Sequence, residues 1–160
     1  MVYHYVGYAY CEPVRGEHVC TICGKHFSSD SNLRHHKYTH LPADVQCYGC
    51  ERMFTTYAGM IIHLESGACS SGINVFDLNQ SAAMGFGWKK WTVRAFQNSL
   101  LNCEPVKKGD CPFKCPTCDV TFPKLSSLFM HVASPSCDQE LDEGAIKKLR
   151  RWLWRRHDIG

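Results

Sequence analysis

Three Cys-x-x-Cys pairs constrain this 160-residue chain more than any other feature, because a histidine follows each pair at the same distance. Twelve residues separate the second cysteine from that histidine in all three copies. A Cys-x-x-Cys turn directs both sulfurs to one side of a hairpin, where a histidine from a following helix can approach them. The pattern predicts three tetrahedral zinc sites.

The last ligand differs between the copies. In the first copy, His40 lies one helical turn after His36, so the two rings share a helix face. In the other two copies, five residues separate the histidine from a cysteine, and Ser, Gly or Pro in that interval breaks the helix. The predicted ligand sets are Cys20, Cys23, His36 and His40; Cys47, Cys50, His63 and Cys69; and Cys115, Cys118, His131 and Cys137.

Two apolar positions repeat in step with the ligands. A phenylalanine stands four residues after each pair and another apolar residue six further on: Phe27 and Leu33, Phe54 and Met60, Phe122 and Leu128. With these offsets the first copy, which contains Cys-Gly-Lys-x-Phe, resembles a zinc finger of the CCHH family, and the other two resemble its CCHC variant. Residues 63–73 are also similar to small multi-finger proteins of filamentous fungi. The resemblance implies a ββα fold for each copy.

The cysteines are expected to bind metal and not to form disulfides. The chain has 11 cysteines, an odd number, and its start shows no basic or apolar segment typical of a secretion signal. Disulfides would not explain the repeated histidines, so metal binding is favoured. Segments this small have little room for a core, and we expect zinc, rather than a large apolar core, to hold most of the structure together.

The predicted fold is a small zinc-stabilised α+β structure of three ββα fingers, with a helical insert and a C-terminal helix. The insert is expected to contain helices over 74–84 and 88–101, the second with Trp88, Trp91 and Ala95 on one face. The last helix has an apolar stripe that includes Ile146, Leu149 and Leu153. The expected boundaries are 16–40 for finger 1, 45–69 for finger 2, 70–112 for the insert, 113–137 for finger 3 and 140–160 for the basic amphipathic helix.

The excess positive charge of the chain lies near the C-terminus. Residues 1–141 contain 12 basic and 12 acidic residues, so the net charge of +3 comes from residues 142–160. The basic face there is either solvated or contacts phosphate, or it is a nuclear-import element. In finger 1, three polar side chains stand where finger proteins read bases. The predicted nucleic-acid contacts are Ser29, Asn32, His35, Lys124, Lys147, Arg150, Arg151 and Arg155.

These features favour a nuclear, or otherwise cytoplasmic, zinc-finger protein that binds DNA and acts in transcription regulation. The alternative is a protein-interaction module whose second and third fingers display apolar side chains such as Ile62 and Met130. Protein partners fit either hypothesis, whereas a membrane or a small-molecule substrate is not expected. An enzyme is not expected either, because four protein ligands close each metal site. His63-Leu-Glu65 with Cys115-Pro-Thr-Cys118 approaches a zinc deaminase pattern but lacks its proline.

Overall fold

The structure, a computed structural model, describes residues 18–158 and divides the chain into two units, Met1–Pro42 and Ala43–Gly160. Cys11, the first two residues assigned to finger 1 and the last two of the chain lie outside the described residues. In the first unit, strands β1 (His18–Val19) and β2 (His26–Phe27) form an antiparallel hairpin. Helix α1 (Asp30–Lys37) follows and continues into a 3₁₀ turn at Tyr38–His40.

The second unit repeats this hairpin-and-helix arrangement twice. Its elements are β3 (Val45–Gln46), β4 (Met53–Phe54), α2 (Tyr57–Glu65), α3 (Val75–Met84), 3₁₀ turns at Trp88–Lys90 and Arg94–Phe96, α4 (Gln97–Leu101), β5 (Phe113–Lys114), β6 (Thr121–Phe122), α5 (Leu125–Val132) and α6 (Gly144–His157). Val45 pairs with Phe54 in one antiparallel hairpin, and Phe113 pairs with Phe122 in the other. The predicted fold class of three ββα fingers with a C-terminal helix is confirmed.

One apolar core runs through the second unit and joins fingers 2 and 3 to the insert and to α6. Helices α2 and α5 pack against each other, and the rings of Tyr57 and Phe129 meet edge to face with centroids 4.6 Å apart. Ile61 and Leu64 of α2 are fully buried, although neither occupies a position that a finger fills for itself. The expectation that zinc rather than a large core holds most of the structure is therefore wrong for this unit.

The first unit differs in this respect. Leu33 is the only buried residue of α1, whereas six of the nine residues of α2 are buried. Ser29 caps α1 by accepting a hydrogen bond from the backbone N–H of Asn32 at 3.1 Å. With one buried helix residue, finger 1 has little core of its own, and its dependence on zinc for folding stays a prediction.

The insert matches its prediction only in part. Helix α3 begins after Asn74, which forms a capping box with Asp77. The second predicted helix, 88–101, is wrong as a continuous element, because the chain leaves the helical conformation to pair with finger 3. Val93 donates its N–H to the carbonyl of Pro112 at 2.8 Å, and a β-bridge joins Thr92 to the first strand of that finger. Cross-strand hydrogen bonding overrides the helical pattern, and Ala95 is exposed.

Side chains bind two carbonyls at the C-terminal end of α3; that of Ser81 also accepts the N–H of Gly85 at 3.1 Å. The indole N–H of Trp91 donates to the carbonyl of Ala82 at 2.9 Å, and that of Trp152 donates to the carbonyl of Ser81 at 2.6 Å. Trp152 belongs to α6, so this contact fixes the C-terminal helix on the insert.

Among the described residues, no helix is long and apolar enough to cross a membrane.

His157 anchors the C-terminal end of α6. Its Nε2 lies 2.8 Å from the Ser81 hydroxyl, which also accepts a hydrogen bond from Arg156 Nε at 3.1 Å. Burial lowers the pKa of His157 below its usual 6.5; Arg156 lowers it further, while Asp77 raises it.

Candidate metal centres

Each of the three predicted ligand sets converges on one point. Within every set, the four ligand atoms lie within 4.8 Å of one another. Zinc bonds of about 2.3 Å to sulfur and about 2.0 Å to nitrogen, arranged tetrahedrally, place the ligand atoms roughly 3.3–3.8 Å apart. The thiolate and imidazole groups would therefore need only small shifts to close around an ion.

Individual distances between ligand atoms lie within this range or just below it. In the first set, Cys23 Sγ lies 3.1 Å from His36 Nε2, and Cys20 Sγ lies 3.4 Å from His40 Nε2. In the second set, the Sγ atoms of Cys47 and Cys69 are 3.8 Å apart. The third set gives 3.6 Å between the sulfurs of Cys115 and Cys137, and 3.2 Å between Cys118 Sγ and His131 Nε2.

The hairpins place the sulfurs through the same backbone contact. The first cysteine of each pair donates its N–H to the carbonyl five residues ahead, at 2.8–2.9 Å: Cys20 to Lys25, Cys47 to Arg52 and Cys115 to Val120. This hydrogen bond closes the turn around the pair. The short loop therefore directs both sulfurs toward the helix in every copy.

Two side-chain contacts fix the first histidine of each set. The repeated phenylalanine packs on the imidazole, with centroid distances of 4.6 Å for Phe27–His36, 5.1 Å for Phe54–His63 and 5.0 Å for Phe122–His131. A hydroxyl three residues after the histidine donates to its carbonyl at 2.7 Å: Thr39 in finger 1, Ser66 in finger 2 and Ser134 in finger 3. This hydroxyl was not among the predicted features, although a Ser or Thr stands at that offset in every copy.

The protonation states suit metal binding. Loss of hydration lowers the pKa of His36, His63 and His131, which favours the neutral imidazole that zinc requires. Burial raises the pKa of the Cys47 and Cys115 thiols to about 11 in the absence of metal. Zinc would therefore displace a proton from each of these two thiols on binding.

Among residues 18–158, only the second site has a side-chain hydroxyl that donates to one of its sulfurs. Ser71 donates its hydroxyl to the sulfur of Cys69 at 3.1 Å, which offsets part of the negative charge of a three-thiolate site. Gly49, inside the Cys-x-x-Cys turn, makes room for this contact, because a Cβ there would lie 2.2 Å from Ser71 Oγ and 2.5 Å from Ser71 Cβ. Thr117 occupies the matching position in finger 3 and donates to Gln139 instead.

Sulfur and imidazole ligands without a carboxylate favour zinc over calcium or magnesium. The family model for the C2H2-type zinc finger matches residues 17–43 and 113–134, which contain most of fingers 1 and 3. This chain carries C2H2-type zinc fingers. With the three clusters in place, the prediction of three zinc ions is confirmed.

Two curated relatives are similar to the chain over most of its length. Ras-responsive element-binding protein 1 of Mus musculus is 28% identical over 70% of this chain, and Zinc finger and BTB domain-containing protein 2 of Homo sapiens is 28% identical over 83%. The aligned region spans 7% of the first relative and 24% of the second. No solved structure matches the chain.

The predicted nucleic-acid contacts fall in different environments. Asn32 and His35 are exposed on α1, while Ser29 serves as the cap of that helix. Lys124 is exposed at the start of α5, and Lys147, Arg151 and Arg155 are exposed on α6.

Arg150 does not share the solvent-facing position predicted for it. Its guanidinium lies 4.5 Å from the ring centroid of Tyr57, pairs with Asp142 and donates to the carbonyl of Leu141 at 3.1 Å. These contacts use its charge and its Nη1 donor within the chain, while its buried Nε has no hydrogen-bond partner among the described residues. Arg150 therefore holds α6 against finger 2, and its place on the basic face of α6 is corrected.

Glu65 connects fingers 2 and 3, a role that the sequence did not indicate. Its carboxylate accepts hydrogen bonds from the backbone N–H of Ser126 at 3.0 Å and from the Ser126 hydroxyl at 2.6 Å. Helix α5 has no side-chain cap of its own at Lys124. The end of α2 thus supplies a carboxylate to the N-terminus of α5, where negative charge is favourable.

Proposed function

We propose that the protein is a nuclear DNA-binding protein with a role in transcription regulation, in which finger 1 reads bases and α6 contacts phosphates. The observation that carries this proposal is the exposed basic face of α6. Lys147, Lys148, Arg151 and Arg155 are exposed there, and none pairs with a carboxylate within residues 18–158. A cluster of unneutralised cations is the electrostatic feature that binds a polyanion.

Finger 1 supplies the base-reading element of this proposal. Asn32 is exposed, and Asn pairs with adenine in the major groove through two hydrogen bonds. Its amide already donates to Ser28 Oγ at 3.0 Å, an exposed contact that a base can replace. One relative is named for binding to a Ras-responsive element, which agrees with a DNA ligand.

Fingers 2 and 3 are assigned a structural role in this proposal. Their helices pack on each other, and the side chains left at the usual reading positions include Ile62 at 47% exposure and Met130 at 39%. Neither can hydrogen-bond to a base. Four protein ligands per ion support structural zinc, so we propose no enzyme activity.

Fluorescence anisotropy with a labelled duplex of random sequence, measured across salt concentrations, tests the proposal. Replacing Lys147 and Arg151 by Gln should lower the salt slope by about 0.9 for each lost phosphate contact. Replacing Lys107 and Lys108, exposed lysines in a turn of the insert, is the matched control and should leave the slope unchanged. Absence of duplex binding at low salt would refute the proposal.

The second candidate function is protein interaction, and exposed Ile62 and Met130 favour it. Exposed apolar side chains on neighbouring fingers can mark a partner surface. Ile62→Ser should then weaken capture of that partner while leaving duplex binding unchanged. The two functions are separated by which variants abolish transcription regulation in cells. Loss in variants on α6 supports DNA binding, and loss in variants on α2 supports protein interaction.

A further inference from the structure

Phe86 is the most exposed large apolar residue in the described chain, with 98% of its surface accessible. It stands between Gly85 and Gly87, in the turn that follows α3; residues 85–87 are called the Phe86 turn below. Nothing in the fold of the second unit requires an aromatic ring at this place. A polar residue would avoid the cost of placing the ring in water.

The Phe86 turn is held in place by its neighbours. A Cβ on Gly85 would lie 3.0 Å from the Trp91 ring and 3.1 Å from the Trp152 ring, so the backbone packs directly on both indoles. Both indoles are themselves fixed, since they donate to the last carbonyls of α3. Gly87 has a φ of +91°, a conformation that glycine adopts readily. Phe86 is therefore presented to solvent by a preorganised turn.

Basic side chains line the same two surface cavities as this ring. Phe86, Trp152, Lys148, Arg151 and Arg155 line one cavity of about 250 Å³. A second cavity, of about 480 Å³, is lined by Phe86 together with Met84, Trp88, Lys89 and Lys90. An exposed aromatic ring thus lies between two groups of basic side chains, with no acidic residue in either lining.

We propose that the Phe86 turn and the basic face of α6 bind single-stranded nucleic acid, with an unpaired base stacked on Phe86 and its flanking phosphates on Lys148, Arg151 and Arg155. Sites that follow a single strand combine a positive groove with aromatic rings on which bases stack. In a duplex the bases are already stacked on each other, so an exposed ring gains little from it. The proposal rests on the proposed nucleic-acid function and assigns the strand state that α6 prefers.

The test uses the full zinc-loaded chain and a fluorescein-labelled 15-nucleotide strand of mixed sequence, offered alone and as its duplex. Stacking of one base changes affinity by about 5- to 150-fold, so Phe86→Ala should weaken single-strand binding by a factor in that range. Phe86→Trp should retain binding. Duplex binding should change less than twofold in Phe86→Ala. Because the side chain makes almost no contact, the thermal unfolding midpoint should not move.

Phe76→Ala is the matched control, since Phe76 is a partly exposed aromatic of α3 that lines neither cavity. It should bind the single strand like the unaltered protein. Equal single-strand affinity for Phe86→Ala and the unaltered protein would overturn the inference. So would Phe86-dependent binding that is seen only with an acidic peptide or with phosphatidylserine vesicles. If duplex binding persists while Phe86→Ala has no effect on single-strand binding, only this inference falls; if the duplex is not bound at low salt, the proposed function falls, whether or not the single strand binds.

Discussion

Replacing Phe129 by alanine should destabilise the whole second unit and not finger 3 alone. Phe129 lies on α5, is fully buried and meets the Tyr57 ring of α2 edge to face at 4.6 Å. Truncating a buried Phe to Ala costs about 3–5 kcal/mol. Unfolding a unit of this length involves an entropy of roughly 0.25 kcal/mol/K, so the midpoint should fall by about 12–20 °C.

Circular dichroism at a fixed excess of zinc measures that shift, because metal concentration itself changes the midpoint. Met130→Ala, one residue away on the exposed side of α5, is the control and should move the midpoint by only a few degrees. Amide hydrogen exchange locates the effect. Phe129→Ala should accelerate exchange at Met60 and Ile61 of α2 as well as in α5. Unchanged protection of α2 would show that the fingers fold independently and would refute the reasoning.

Three further predictions concern individual contacts. Glu65→Ala should destabilise the second unit by about 2 kcal/mol, since it removes two charge-assisted hydrogen bonds to Ser126; a double-mutant cycle measures their coupling. Gly49→Ala should weaken zinc binding at the second site, because the new methyl group displaces Ser71 from Cys69, and competition with a zinc chelator detects it. His157 should titrate below 6.5 by NMR, so its contribution to stability is present above that pH and disappears as the pH falls through the lowered value.

Each of these predictions has an outcome that contradicts it. A coupling energy below about 0.5 kcal/mol between Glu65 and Ser126 would mean that the carboxylate adds no cap to α5. Thr117→Ala, at the position in finger 3 that matches Gly49, is the control for the glycine variant and should leave the second site intact. Equal losses of zinc from both variants would remove the argument about Ser71. A His157 pKa at or above 6.5 would indicate that the imidazole is hydrated and not bonded to Ser81.

The zinc-ligand sets could be predicted from the sequence because their residues are close together in the chain. The Cys-x-x-Cys turn, the phenylalanine four residues on and the histidine after it lie within one short hairpin and helix, so their spacing specifies their geometry. Helix α6 could also be predicted from the sequence, because Ile146, Leu149 and Leu153 follow the helical period. All three are fully buried in the structure. Both features depend on neighbours in the sequence.

Contacts between distant segments could not be predicted in this way. The pairing of Val93 with Pro112 broke the second predicted helix, and the packing of α2 on α5 produced a core where independent fingers were expected. One signal was present in the sequence. Ile61 and Phe129 are apolar residues beyond those that a finger needs for its own interior, and such a surplus on two helices indicates that they pack together.

Metal content tests the central claim most directly. Mass spectrometry of the native protein, compared with the acid-denatured chain, counts the ions bound per molecule without disturbing the fold first. We expect three zinc ions in the native protein and none after acid treatment, because protonation of the thiolates and imidazoles releases the metal. Fewer than three ions in a fully folded protein supplied with excess zinc would contradict it.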